Sequence, residues 1–186
     1  MKFSKKIYLV GLVITLLHFF IHLAIIRDYP IAWDYHYHHY AGLYHLGLTV
    51  PSVNDTPAVP FTPPDPRLTT EDPFGPFTQI IPSLSQVVLS DKLKLLPFDV
   101  AYNLPIVIIG SAGVGVLFIF AAQSIGFWVG FFSALFLSLI PVYFGYVHTS
   151  MKDVGNAAAF TVAIWMFWRL TSNNKKKDLK IGRAHV

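Results

Sequence analysis

The chain has 186 residues, 54% of them hydrophobic and 13% charged, with a net charge of +4 and no cysteine; its mean hydropathy is +0.52. That balance excludes an ordinary soluble domain, and the lack of thiols excludes a disulfide framework or a thiolate metal cluster. The basic residues gather towards the chain ends rather than on one soluble face, so the positive charge does not point to nucleic acid.

Four runs meet the requirement of about 20 mostly apolar residues per bilayer crossing: 7–26, 101–122, 127–147 and 155–170. The first follows three lysines but is too long for the core of a signal peptide, and no small-x-small cleavage site follows it. It reads as a retained anchor. Beyond it, residues 31–47 have helical spacing. Trp33, Tyr37, Tyr40 and Tyr44 make an aromatic stripe, and Asp34, His38 and His45 lie along its neighbour. Such a helix suits the membrane–water interface. Pro51, Pro57, Pro60, Pro63, Pro64 and Pro66 rule out a continuous helix over 49–76 and predict an extended crossing loop. An amphipathic pattern returns over 77–96, interrupted by Pro82, and predicts a second interfacial helix. Small residues in the second and third spans (Gly110, Ser111, Gly113, Gly115, Gly130, Ala134) imply close helix packing rather than nucleotide binding. The expected fold is an all-α membrane protein with four transmembrane helices and an outer-face loop, 28–100, carrying interfacial helices.

Orientation follows from lysine and arginine. Lys2, Lys5 and Lys6 precede the first span, while Arg169, Lys175, Lys176 and Lys177 close the fourth and follow it. Both ends are therefore expected in the cytoplasm, as an even number of spans requires. Segment 28–100 and the link 148–154 then lie outside, with nine of the ten acidic residues. Asp34, Glu71, Asp72, Lys152 and Asp153 thus share one membrane face. At the end of the chain, residues 181–186 match, codon for codon, the translation of a common short-read sequencing adapter. They are read as foreign sequence, His185 included, and residues 1–180 as the N-terminal part of a longer membrane protein.

Each candidate for chemistry has two readings. Asp34, where the chain leaves the first span, is either a general base or a carboxylate complementing the positive end of a helix dipole. His36, His38, His39 and His45 are either metal ligands, with Asp34 and His38 at i,i+4, or polar tips of an amphipathic helix. His18 and His22 are axial haem ligands only if another helix supplies partners, and the later spans as bounded contain no histidine. The other reading is hydrogen bonding towards the bundle. Glu71-Asp72, before Pro73-Phe74-Gly75-Pro76, is either a functional turn or a solvated loop tip. Lys152-Asp153 is either a phosphate site or an internal ion pair.

Two segments resemble the integral-membrane glycosyltransferases of the GT-C superfamily, in the ArnT-like and protein O-mannosyltransferase-like branch. Trp33-Asp34-Tyr35-His36-Tyr37-His38-His39-Tyr40-Ala41-Gly42 takes the place of an Asp-Glu-x-x-x-x-Tyr-Gly-like segment, with Tyr35 where a second acid is often found. Ile140-Pro141-Val142-Tyr143-Phe144-Gly145-Tyr146-Val147-His148-Thr149-Ser150-Met151-Lys152-Asp153-Val154 resembles a Pro-x-x-Phe-Gly-His…Pro-Lys-Asp-(Ile/Val)-Pro segment. Tyr146 and Gly155 stand where His and Pro are usual. The resemblance implies inverting transfer of a sugar from a polyprenyl-phosphate carrier to an acceptor hydroxyl on the outer face. It implies Asp34 as the base and Lys152 at the lipid phosphate. Asp153 would orient Lys152 or the loop, and Glu71, Asp72 and His38 would contact substrate. No cofactor is required by these residues, and a divalent metal is left open because members differ in needing one. Two readings from other classes stand beside it: a transporter component or assembly subunit, and a metal- or haem-binding membrane protein.

Overall fold

The computed structural model describes residues 5–50 and 75–172, and within them the regular elements are all helical. Helix α1 spans Lys5–Ala24, α2 Tyr35–His45 and α3 Pro76–Gln86; a π-helical turn, Val87–Lys92, follows α3. Then come α4 Phe98–Ser124, α5 Phe127–Leu139, α6 Pro141–Thr149 and α7 Met151–Ser172. Glu71, Asp72, most of the proline-rich loop and the tail 181–186 lie outside the described residues.

Helices α1 and α4 are each long and apolar enough to cross a membrane, and α5 with α6 passes the same test as a pair bent by 68°. The bend replaces the straight third span expected from sequence, and Pro141 accounts for it. Proline has no N–H for the helix ladder and pushes the residue before it out of the helical region. Ile140 accordingly sits at φ −66°, ψ 118°, and α6 restarts with Pro141 in its first turn. Helix α7 starts four residues before the predicted fourth span. Asn156, Arg169 and the Lys152-Asp153 pair dilute its apolar run, and it falls outside the set that qualifies as membrane-crossing by length and composition.

α4 is the hub of the bundle because its small residues let neighbours approach closely. α1 runs antiparallel to it: Gly11 lies against Ile119, Thr15 against Gly115, and His18 reaches Ser111. α5 and α6 return antiparallel, with Gly130 on the Phe118–Ala122 backbone and Tyr143 donating its hydroxyl hydrogen to the Gly110 carbonyl at 2.9 Å. α7 runs parallel to α4, from Val154 at Gly110 through Ala158 at Gly113 to Trp165 at Gln123. Ile106, Val107, Val114 and Phe118 are completely buried in this core. Leu9, Leu12, Leu17, Phe20, Trp128, Phe132 and Phe136 face outward on α1 and α5, as a lipid-facing surface would. These directions bring the end of α1, the start of α4, the end of α6 and the start of α7 to one end of the bundle.

α2 and α3 pack across that end. The buried face of α2 is Tyr35, His39, Gly42 and Leu43. The predicted aromatic stripe is on the other side, with Tyr44 exposed and Trp33 in the turn before the helix. At Gly42 the two helices touch: a Cβ there would overlap Ser83 Oγ and the Gln79 carbonyl. Ser85 Oγ donates to the Ala101 carbonyl at 2.6 Å, tying α3 to α4.

Candidate functional site

Asp34 is the residue before the first turn of α2, yet its carboxylate makes no capping hydrogen bond to that helix. It points instead to the start of α7, where Lys152 Nζ donates to Asp34 Oδ2 at 2.9 Å across 118 residues of sequence. His38 Nε2, one helical turn along α2, lies 3.3 Å from the same oxygen. The dipole-complement reading therefore does not account for where the carboxylate goes. All three side chains are half-buried, with Lys152 29%, Asp34 19% and His38 12% exposed. The His38 hydrogen bond is the largest influence on the Asp34 carboxyl and holds it well below the usual carboxylate range. Burial opposes that shift, and Lys152 reinforces it by hydrogen bond and charge. Asp34 is thus held as a fixed anion.

The corner between α6 and α7 positions the lysine. Ser150 precedes the first turn of α7 in a non-helical conformation and donates from Oγ to Asp153 Oδ2 at 2.5 Å. This Ser-x-x-Asp pattern is a helix-start device, and it puts Lys152 in the first turn, facing α2. Asp153, expected to orient Lys152 or the loop, accepts the Ser150 hydroxyl at the start of α7.

Two cavities meet at the Asp34–Lys152 pair, and both residues line both. The inner one, about 20 Å³, is bounded by Tyr35, His38, Thr78, Tyr102 and Ser150, which is room for one water-sized group. The outer one, about 410 Å³, is bounded by Tyr29, Trp33, Tyr146, Thr149, Ser150 and Asp153. A buried polar layer supports the inner wall. Tyr35 donates to Gln86 Oε1 at 2.7 Å and stacks on His39, whose Nδ1 lies 3.2 Å from Ser83 Oγ. Burial pushes the Tyr35 hydroxyl up and, with a smaller contribution from His36, lowers His39 to about 4.

His18 and His22 face the bundle and hydrogen-bond there. His18 Nδ1 lies 2.8 Å from Ser111 Oγ, and His22 Nδ1 lies 3.2 Å from His148 Nε2. The expectation that no later helix offers a histidine to them is corrected by His148. It falls one residue beyond the predicted third span and is completely buried, stacked on Tyr29 at 3.9 Å between ring centroids. Among the described residues no group of three histidine or acidic side chains converges as a metal site would. Of the site residues expected from sequence, Asp34, His38 and Lys152 come together and Asp153 lies beside them. Thr78, Ser150 and Tyr29 were missed; only Ser150 carries a sequence signal, its spacing to Asp153.

Scans of protein-family models, of curated proteins and of solved structures find no match to this chain.

Proposed function

We propose that this chain carries the outer-face site of a membrane glycosyltransferase that moves a sugar from a polyprenyl-phosphate carrier to an acceptor hydroxyl with inversion. The supporting observation is the Asp34–Lys152 contact, which joins the two segments that resemble the GT-C enzymes through a half-buried carboxylate and a cation. In this reading the acceptor oxygen attacks C1 of the sugar as its proton passes to Asp34. The C1–O bond to phosphate breaks, and Lys152 stabilises the charge left on the lipid phosphate. At rest the two groups neutralise each other, so Asp34 is a weak base. A donor phosphate that takes Lys152 over weakens its hold on the carboxylate and raises its basicity where it is needed.

The same reading places α1, α4, the α5–α6 pair and α7 as four crossings, with both chain ends in the cytoplasm and the site outside. Asp34→Asn in the protein of the complete gene is expected to lower sugar transfer from a labelled polyprenyl-phosphate donor by at least about a hundredfold, with insertion and folding retained. Near-wild-type transfer would sink the assignment. A second reading, a proton-coupled transport component, is favoured by the buried His18, His22 and His148 cluster, since ionisable groups inside a membrane bundle mark ion or proton paths. Proton flux into vesicles that is lost in His148→Phe but retained in Asp34→Asn would select that reading.

A further inference from the structure

We propose that Trp33 and Tyr146 form the platform on which the donor's sugar ring lies. This rests on the glycosyltransferase reading and names a subsite for it. The outer cavity is lined by both aromatic side chains, Tyr29, Trp33 and Tyr146, and polar ones, among them Thr149, Lys152 and Asp153. Its size is within the roughly 300–1,000 Å³ of small-molecule sites. A pyranose has the matching surfaces: ring faces of C–H groups that pack on an aromatic ring, and a rim of hydroxyls that needs hydrogen-bond partners. Trp33 is 78% and Tyr146 44% exposed, so broad apolar surfaces border the space above Lys152. Thr149 and Asp153 supply the polar side of the same cavity.

Aromatic residues at a membrane boundary also serve as depth anchors, and the geometry separates the two roles. An anchor has no need of a cavity or a cation. These two side chains come from segments 113 positions apart and converge on one space with Lys152 at its inner edge. Trp33 precedes α2 rather than lying on its outward face. Tyr29, the third aromatic of the wall, is stacked flat on His148, with an interplanar angle of 5°, and gives the cavity a fixed side. A sugar lying against Trp33 and Tyr146 would share the cavity with Lys152, the partner for its anomeric phosphate, and with Thr149 and Asp153, partners for its hydroxyls.

The test is binding, in lipid nanodiscs, of a synthetic polyprenyl-phosphate hexose and of the same polyprenyl phosphate without sugar. Glucose and mannose forms are tested in parallel. The wild-type protein of the complete gene is expected to prefer a sugar-bearing lipid by roughly tenfold, and Trp33→Ala or Tyr146→Ala to cut that preference roughly three- to tenfold. Affinity for the bare lipid phosphate should stay within about twofold, and Trp33→Phe should keep most of the preference. A preference unchanged in both alanine variants overturns the platform. So does an equal loss for both lipids in Trp33→Ala, which marks an anchor. Lys152→Met that leaves bare lipid phosphate binding intact counts against the transferase reading and not the platform. A wild-type protein of the complete gene that binds neither lipid removes both.

Discussion

At the scale of single residues, the site is a carboxylate shared between two cationic or protonatable neighbours, and its energetics are testable without any substrate. Asp34 is depressed in the folded chain. Its stabilisation is therefore full above the ordinary carboxylate pKa near 3.8 and is lost as pH falls towards the folded value. His39 works in a different window. At about 4 in the folded chain against 6.5 ordinarily, it is neutral when folded and takes up a proton more readily when unfolded. Stability is unaffected by it above pH 6.5 and declines as pH falls from 6.5 towards 4, by roughly 2 kcal/mol at pH 5. His39→Gln should remove that share of the acid sensitivity, read as a smaller drop in melting temperature between pH 7 and pH 5. An identical drop would show that His39 does not titrate there. The Asp34–Lys152 pair is partly exposed, so Lys152→Met should cost only about 1 kcal/mol. A double-mutant cycle with Asp34→Asn should return a coupling of similar size. Asp34 and Lys152 were legible because charge at a membrane boundary is conspicuous in sequence. His148 was not, because the apolar run ends at Val147 while α6 continues two residues further, to Thr149.

At the scale of elements, apolar run length located α1, α4 and α7 to within four residues at each end, and an unbroken 20-residue apolar run such as those of α1 and α4 has little freedom to be anything else. Faces and breaks were harder. Of the expected aromatic stripe, Tyr37, Tyr40 and Tyr44 lie on α2 and Trp33 precedes it, and the packing face, Tyr35-His39-Gly42, is polar enough to hide from hydropathy. It is identified by Gly42, where the absence of a side chain lets α3 approach at Gln79 and Ser83. Gly42→Leu should therefore push α2 off α3 and destabilise the chain by about 1–3 kcal/mol, visible as a lowered melting temperature. A neutral effect would mean the contact at Ser83 is not made. Pro141 was visible in the sequence inside a predicted span, and the 68° corner is its direct consequence. Pro141→Ala should favour a straighter α5–α6 connection and displace Lys152 from Asp34.

At the scale of the whole molecule, the directions of α1, α4, α5–α6 and α7 put both ends of the described bundle opposite the site. The chain has no cysteine, so single cysteines report sidedness without background. Lys5→Cys and Ser172→Cys should label with a membrane-impermeant maleimide from one side, and Gly47→Cys from the other. Labelling of Ser172→Cys together with Gly47→Cys would reject α7 as a crossing. Lysine and arginine alone lead to the expectation that both ends share one side, whereas the meeting of Asp34 with Lys152 depends on packing that no local pattern encodes.

The bond from Asp34 to Lys152 also dictates an order of events during synthesis. Asp34 emerges early and Lys152 118 residues later, at the mouth of the last described helix. Until α7 has docked along α4, the carboxylate has His38 beside it but no lysine, and the outer cavity lacks the wall that Thr149, Ser150 and Asp153 provide. A nascent chain stalled before that point would hold the acid without its counter-charge, so the site is assembled only when the bundle is.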